Sequence, residues 1–294
     1  MASADIERVL RYLDQHRPAE RTLAGARRYL EAMVAMEPAA SDVATETITI
    51  GGVQADRLLP PGADTSRTLL YFHGGGYALG SAAAYRPFTS RIARAFGGAT
   101  VVLDYRLAPE HPFPAGLDDA VSACRALLAT GHSERRLALA GDSAGGGLVV
   151  ATMLALRDAG DALPAAAALL SPWVDLEGSG DSMTSRAALD PIVGREGMQA
   201  LSQMYLGDRD RRAPLASPTY ANLEGLPPLL IQMGTRETQH DDGVAFAEKL
   251  RAAGVSVELE VWQDMLHVFQ MFPVLPDAHR AVDRIGQFLR SKML

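Results

Sequence analysis

The pattern of hydrophobic and polar positions changes period along this chain. Over residues 1–45, apolar side chains recur three and four positions apart: Ile6, Val9, Leu10 and Leu13, then Leu23, Ala26, Leu30, Met33 and Val34. That spacing predicts two amphipathic helices. From TETITIGG onward the rhythm becomes alternation, which predicts a hairpin of edge strands leading into the strand TLLYF at 68–72. Strand, loop and helix then repeat. TVVLD (100–104) precedes a proline-rich loop and a helix over 117–128, and LALAG (137–141) precedes a helix over 144–157. AAALLS (166–171), LLIQMG (229–234) and VELEVW (257–262) supply three more strands. Short apolar strands alternating with helices predict an α/β fold, with a mostly parallel central sheet flanked by helices on both faces. Residues 175–218 break the alternation. They hold polar turns and helical fragments without a strand pattern, and read as an insertion over the sheet.

Composition narrows what such a fold is for. A chain of 294 residues with 48% apolar content can bury one large core with an elaboration, which excludes disordered and fibrous classes. The net charge of −7, with no basic run interleaved with aromatics, argues against a nucleic-acid partner. The single cysteine, Cys124, rules out an internal disulfide framework and reads as a small buried hydrophobe in a helix. No stretch reaches 18 uncharged apolar residues and no apolar signal segment opens the chain, so no membrane span is expected and the expected location is cytoplasmic.

Chemistry enters at LALAGDSAGGG, where Gly141-Asp142-Ser143-Ala144-Gly145 stands between a buried strand and a helix. A Gly-x-Ser-x-Gly turn in that setting lifts the serine hydroxyl above the sheet, and its glycines permit the sharp bend. A serine needs a base to take its proton and a third group to hold the base. In this order of elements the base follows the serine, leaving His240, His267 and His279. His267 sits in a loop past the carboxyl end of a strand, where open α/β sheets place their sites, whereas His279 falls in a helical pattern. The acid is expected past LLIQMG, where Glu237 comes three residues after Gly234. Asp241 is its rival, although Asp241 and Asp242 fit the first turn of a helix, where the macrodipole favours acids. Attack on an acyl carbon also needs N–H donors for the developing oxyanion. The sequence His73-Gly74-Gly75-Gly76 after the first parallel strand supplies a loop of that kind, with Gly74 and Gly75 as donors beside Ala144. His73 reads as a support for this loop.

Together, HGGGYALGS, DYRLAPEHPFPA, GDSAGG and DMLHVF resemble the motif series of the hormone-sensitive lipase-like esterases, the bacterial family IV carboxylesterases. The likeness runs from about residue 68 to the C-terminus. It implies an α/β-hydrolase fold, a Ser143, Glu237 and His267 triad, an oxyanion hole of Gly74, Gly75 and Ala144, and no cofactor or metal. It also implies a helical cap built from residues 1–45 and 175–218 over a catalytic domain of 46–174 and 219–294. The partner is a small-molecule ester of short to medium acyl chain, and a homodimer is plausible by the same likeness. Tyr77, Trp173, Met204 and Tyr205 are candidates to line its pocket.

Two positions depart from the family's pattern, which often has Asp, then Leu two positions later. Here those positions are Glu237 and Gln239. The longer acid requires its loop to sit further back, and Gln239 loses an apolar contact. Arylacetamide deacetylases resemble the same family, so amide hydrolysis is an alternative to ester hydrolysis. A non-catalytic receptor, as in the plant gibberellin receptors, is disfavoured because His267 is present. A lipid lipase is disfavoured because no long apolar lid is evident.

Overall fold

The computed structural model describes residues 4–18, 22–129 and 134–294. It opens with helices α1 (Ala4–His16) and α2 (Leu23–Val34), whose inward stripes are those the spacing predicts. Ile6, Val9 and Leu13 are buried from α1, and Leu30, Met33 and Val34 from α2. Thr22 caps α2 by accepting the Gly25 N–H at 3.1 Å. Strands β1 (Ala44–Ile50) and β2 (Val53–Leu59) form an antiparallel hairpin through Gly51 and Gly52, at φ +57° and +84°. The hairpin joins the sheet beside β4 (Gly98–Leu103), not beside β3 (Asp64–Phe72), the strand that follows it in sequence.

β5 (Leu137–Asp142), β6 (Ala166–Leu170), β7 (Leu229–Gly234) and β8 (Val257–Trp262) complete an eight-stranded sheet of order β1-β2-β4-β3-β5-β6-β7-β8. All pairings from β4 to β8 are parallel. The covering helices are α3 (Ala82–Phe96), α4 (Ala115–Ala129) and α5 (Ala144–Asp158). After β6 come α6 (Ser182–Ser185) and α7 (Arg195–Leu206) in the strand-free stretch 175–218, then α8 (His240–Ala252) and α9 (Pro276–Lys292).

Alternation along the strands sorts the core into two layers. Leu137 and Leu139 of β5 pack in one cluster with Leu117 of α4, Leu148 of α5 and Phe246 of α8. Ala138 and Ala140 of β5 and Ala166 and Ala168 of β6 point the other way, where Phe88 and Phe96 of α3 and Phe288 of α9 fill the space that small residues leave. The sequence LALA thus encodes a bulky face and a shallow face in four residues.

The order of strands reverses at β3, with β4 on one side and β5 on the other. The chain leaves β3 and β5 in opposite directions, so their carboxyl ends open a crevice, with Phe72 and Gly141 in register. The two glycine-rich segments identified in the sequence both begin there.

α9 closes the sheet's alanine face by lying directly on α3. A Cβ added at Gly286 would lie 2.1 Å from the Ala95 carbonyl oxygen. Gly286→Ala therefore forces the helices apart, and it should lower unfolding free energy by about 1–3 kcal/mol in urea denaturation while leaving the crevice intact. An unchanged urea midpoint would show that α9 does not need this contact.

Candidate active site

Ser143 bridges the end of β5 and the start of α5 at φ +50° and ψ −120°, a conformation rarely adopted by a residue with a side chain. The glycines beside it answer a different need, close approach. A Cβ at Gly145 would lie 2.0 Å from the Phe72 carbonyl oxygen, and one at Gly141 would lie 2.5 Å from the Gly145 carbonyl carbon. Only glycine lets α5 start this close to the end of β3.

His267 follows β8 and Glu237 follows β7, and the two meet with His267 Nδ1 3.1 Å from Glu237 Oε2. Glu237 is fully buried. Its Oε1 accepts the Ser171 hydroxyl at 2.8 Å and the Gly234 N–H. Ser171 Oγ in turn accepts the Val268 N–H at 3.0 Å, so one buried serine ties the acid to the residue after the histidine. Ser171 itself sits at φ +45° just past β6. The extra methylene of glutamate is accommodated by this cradle of three donors.

Burial raises the Glu237 pKa against the pull of those donors. Burial also works against charge on His267, yet the bond to Glu237 and that carboxylate's charge carry its pKa above the ordinary histidine value. We take Glu237 as ionised, since three donors converge on it and a protonated carboxyl would turn its own O–H toward one of them. Asp241 does not reach the histidine: its carboxylate accepts the Ser182 N–H at 2.8 Å, and Asp242 accepts the Gly180 N–H at 2.8 Å. Both acids therefore fasten the stretch 175–218 to α8. His240 bonds the Gly234 carbonyl oxygen through Nδ1, and His279 the Pro273 carbonyl oxygen through Nε2, each away from Ser143.

The glycine loop after β3 is held by Asp142, the residue before the serine. Its buried carboxylate accepts the Tyr71 hydroxyl at 2.8 Å, the Tyr85 hydroxyl at 3.1 Å and the Gly74 N–H at 3.0 Å. Burial pushes its pKa up to about 6. The Gly74 N–H is thereby committed, which corrects the expectation that Gly74 is an oxyanion donor. Gly75 and Gly76 line the cavity in front of Ser143. Their N–H groups, like that of Ala144, have no hydrogen-bond partner among the described residues. Gly75 and Gly76 lie at φ +108° and +60°, and a Cβ at Gly76 would lie 2.5 Å from Leu201 Cδ1. His73 is fully buried, stacks on Tyr105 at 4.5 Å, and bonds the Gly74 carbonyl oxygen through Nδ1. The proline-rich loop 104–115 supports the same turn, with the Tyr105 hydroxyl donating to His73 O at 2.7 Å and the Ala108 N–H to Tyr77 O at 2.9 Å.

Ser143 and His267 open on a cavity of about 240 Å³. Its walls are apolar: Leu30 and Met33 come from α2, Met198 and Leu201 from α7, and Met271 and Phe272 from the segment after His267. Of the four pocket candidates, Trp173 lines this cavity. Tyr77, Met204 and Tyr205 are not among its lining residues, which corrects that part of the expectation. Tyr77 turns inward at φ +62° and stacks face to face on Tyr205 at 3.9 Å, and Met204 packs half-buried against the core. Met33, Met198 and Met271 also line the cavity, and their sequence signal was a flexible apolar residue on the inner face of an element beside the crevice.

The α/β-hydrolase fold family matches residues 69–271. The chain belongs to this family. Within it, an esterase from the bacterial hormone-sensitive lipase family shares 47% identity over all of both chains, with a TM-score of 0.97. The motif resemblance and this neighbour place the chain in the hormone-sensitive lipase-like branch. An acetyl-hydrolase of Streptomyces hygroscopicus is 47% identical over 84% of this chain and 82% of its own. A carboxylesterase of Mycobacterium tuberculosis is 36% identical over 75% and 72%.

The Asp142 cluster in this hydrolase has a pH signature. An unfolded aspartate titrates near 3.9, so a folded value of about 6 means that the folded chain holds this proton more tightly. Its stability contribution is full below the unfolded value and is lost as pH rises through the folded one. Urea denaturation of the protein and of Asp142→Asn should show the native chain losing stability relative to the variant between about pH 4 and 6. A difference that is constant across that window contradicts this assignment.

Proposed function

We propose that this hydrolase is a serine carboxylesterase acting through an acyl-serine intermediate on esters of short to medium acyl chain. The observation that carries the reading is a strained, cavity-facing Ser143 beside His267, whose far ring nitrogen is held by a buried acid. A carboxylate on Nδ1 requires the proton there, which leaves the Nε2 lone pair free to accept the Ser143 proton. His267 has its side-chain bond to Glu237 and none to Ser143 Oγ; such contacts tighten in the complex with substrate.

In this reading, Ser143 attacks the ester carbonyl as His267 takes its proton. The oxyanion is met by the N–H groups of Gly75, Gly76 and Ala144. His267 then protonates the leaving alcohol, activates a water, and the acyl group is released. The cavity volume lies below the roughly 300–1,000 Å³ usual for drug-sized ligands, which supports small acyl or alcohol parts. Helices α1 and α2 and residues 175–218 act together as the cap, since α2 and α7 both contribute walls. No helix among the described residues is long and apolar enough to cross a membrane. Burial pushes the Cys124 thiol up to about 12, which suits a small hydrophobe of the core and not a second nucleophile. The relative named an acetyl-hydrolase supports acetyl groups as the acyl part released, and the second reading is that the same machinery takes them from amides.

Initial rates on p-nitrophenyl esters from acetate to palmitate, with matched anilides, test both readings. A short-chain maximum is expected, with anilides slower, and Ser143→Ala should lower kcat on the order of 10⁴-fold or more. Glu237→Gln should lower it strongly while Asp241→Asn does not. Retained turnover in Ser143→Ala would falsify the acyl-serine route, and faster anilide hydrolysis favours the amidase.

A further inference from the structure

Thr238, the residue after Glu237, is held at both of its backbone groups from the stretch 175–218. Its N–H donates to Asp190 Oδ2 at 2.9 Å, and the Ser182 hydroxyl donates to its carbonyl oxygen at 2.7 Å. Thr238 is fully buried and Asp190 is buried beside it. Through Oδ1 the same Asp190 carboxylate accepts the Ile192 and Val193 N–H groups, both at 3.0 Å. Ile192 and Val193 line the cavity in front of Ser143. One side chain therefore ties the cavity wall to the loop that carries Glu237.

The donors on Asp190 are backbone N–H groups and the Thr238 hydroxyl at 3.2 Å, all neutral, so its charge is met by hydrogen bonds but not cancelled. Arg186 and Arg236 at this joint turn their guanidinium groups onto the Thr235 and Leu189 carbonyl oxygens instead. Burial opposes charge on His267, and Glu237, Asp190 and Asp142 favour it, in that order. These acids come from three different segments, the loops after β7 and β5 and the stretch 175–218. Arg91 of α3 reaches the loop after His267 but donates to the Gln270 and Met271 carbonyl oxygens. The Tyr29 and Tyr85 hydroxyls on the cavity wall go to the Leu13 carbonyl oxygen and to Asp142, and His240 bonds the Gly234 carbonyl oxygen.

We propose that Asp190 is a positioning residue for acyl transfer: its carboxylate locks the Glu237 loop to the cavity wall, and its charge stabilises the imidazolium that His267 becomes on taking the Ser143 proton. This proposal rests on the esterase reading. Asp190 is not among the residues lining the cavity, so it acts through Glu237 and His267 and not on the substrate. In a buried site an uncancelled charge is weakly screened, and one fixed in place before the reaction favours the charge that develops in the transition state.

The test is the pH dependence of p-nitrophenyl acetate hydrolysis by the protein, by Asp190→Asn and by Ser182→Ala. The acid limb of kcat/KM reports loss of the His267 proton in the free enzyme. Asparagine keeps the shape and removes the charge, so His267 holds its proton less tightly. The acid limb should move to lower pH by about 0.5 unit or more, and plateau kcat should fall about tenfold or more with KM changed less than about threefold. Ser182→Ala removes the second tether on Thr238 and should lower kcat by about threefold or more. Native kcat in either variant, or an acid limb at its native pH in Asp190→Asn, overturns the proposal; the unmoved limb is what a purely structural aspartate gives. Should Asp190→Asn not fold, kcat of Ser182→Ala decides alone. If no ester is hydrolysed, or if Ser143→Ala retains the rate, the esterase reading itself fails, an outcome distinct from a native pH profile in an active Asp190→Asn enzyme.

Discussion

Three donors converge on the carboxylate of Asp142, and the rest of the site takes its position from that contact. Asp142 precedes Ser143, so whatever holds its side chain also holds the elbow. Tyr71 comes from β3, Tyr85 from α3 and Gly74 from the loop between them. One buried group therefore registers the Ser143 turn against the glycine loop. Burying a carboxylate is unfavourable unless its charge is met by donors, and here each donor belongs to an element that must stay in place. The Gly74 N–H is committed to that carboxylate, and the next two glycines line the space in front of Ser143.

That arrangement is possible only because β3 and β5 are neighbours whose chains depart in opposite directions. Glycines at 141 and 145 then let the two loops touch backbone to backbone. Glu237 and His267 arrive from β7 and β8 and are joined through Ser171 at the end of β6, so four adjacent parallel strands each deliver one residue of the cluster. Above them, methionines of α2, α7 and the segment after His267 make a deformable apolar wall.

Features tied to local backbone demands could be read from the sequence. The strand-turn-helix setting of Gly-x-Ser-x-Gly, the loop position of His267 and the short step from Gly234 to Glu237 follow from where strands end, and strand ends are marked by composition. The alternation in LALA, read from the sequence only as a short apolar strand, matches the two faces of β5. What could not be read depends on contacts between distant segments. Whether the Gly74 N–H is free is decided by a side chain 68 residues away. Tyr77 and Tyr205 are aromatic and near the crevice in sequence terms, yet a positive φ at Tyr77 turns the pair onto each other. Ser171 appeared only as a strand's last residue; its bonds to Glu237 and Val268 exist because two later loops return to it.

The central claim is that Asp142 holds Gly74 so that Gly75, Gly76 and Ala144 receive the oxyanion formed at Ser143. A crystal structure of the protein inactivated with a small alkyl phosphonate tests it most directly, because the phosphonyl oxygen stands where the oxyanion develops. The account predicts phosphorus bonded to Ser143 Oγ, that oxygen about 2.7–3.1 Å from the three N–H groups, and Gly74 still bonded to Asp142. An adduct on another residue, or an oxygen held by the Gly74 N–H with Asp142 released, would contradict it.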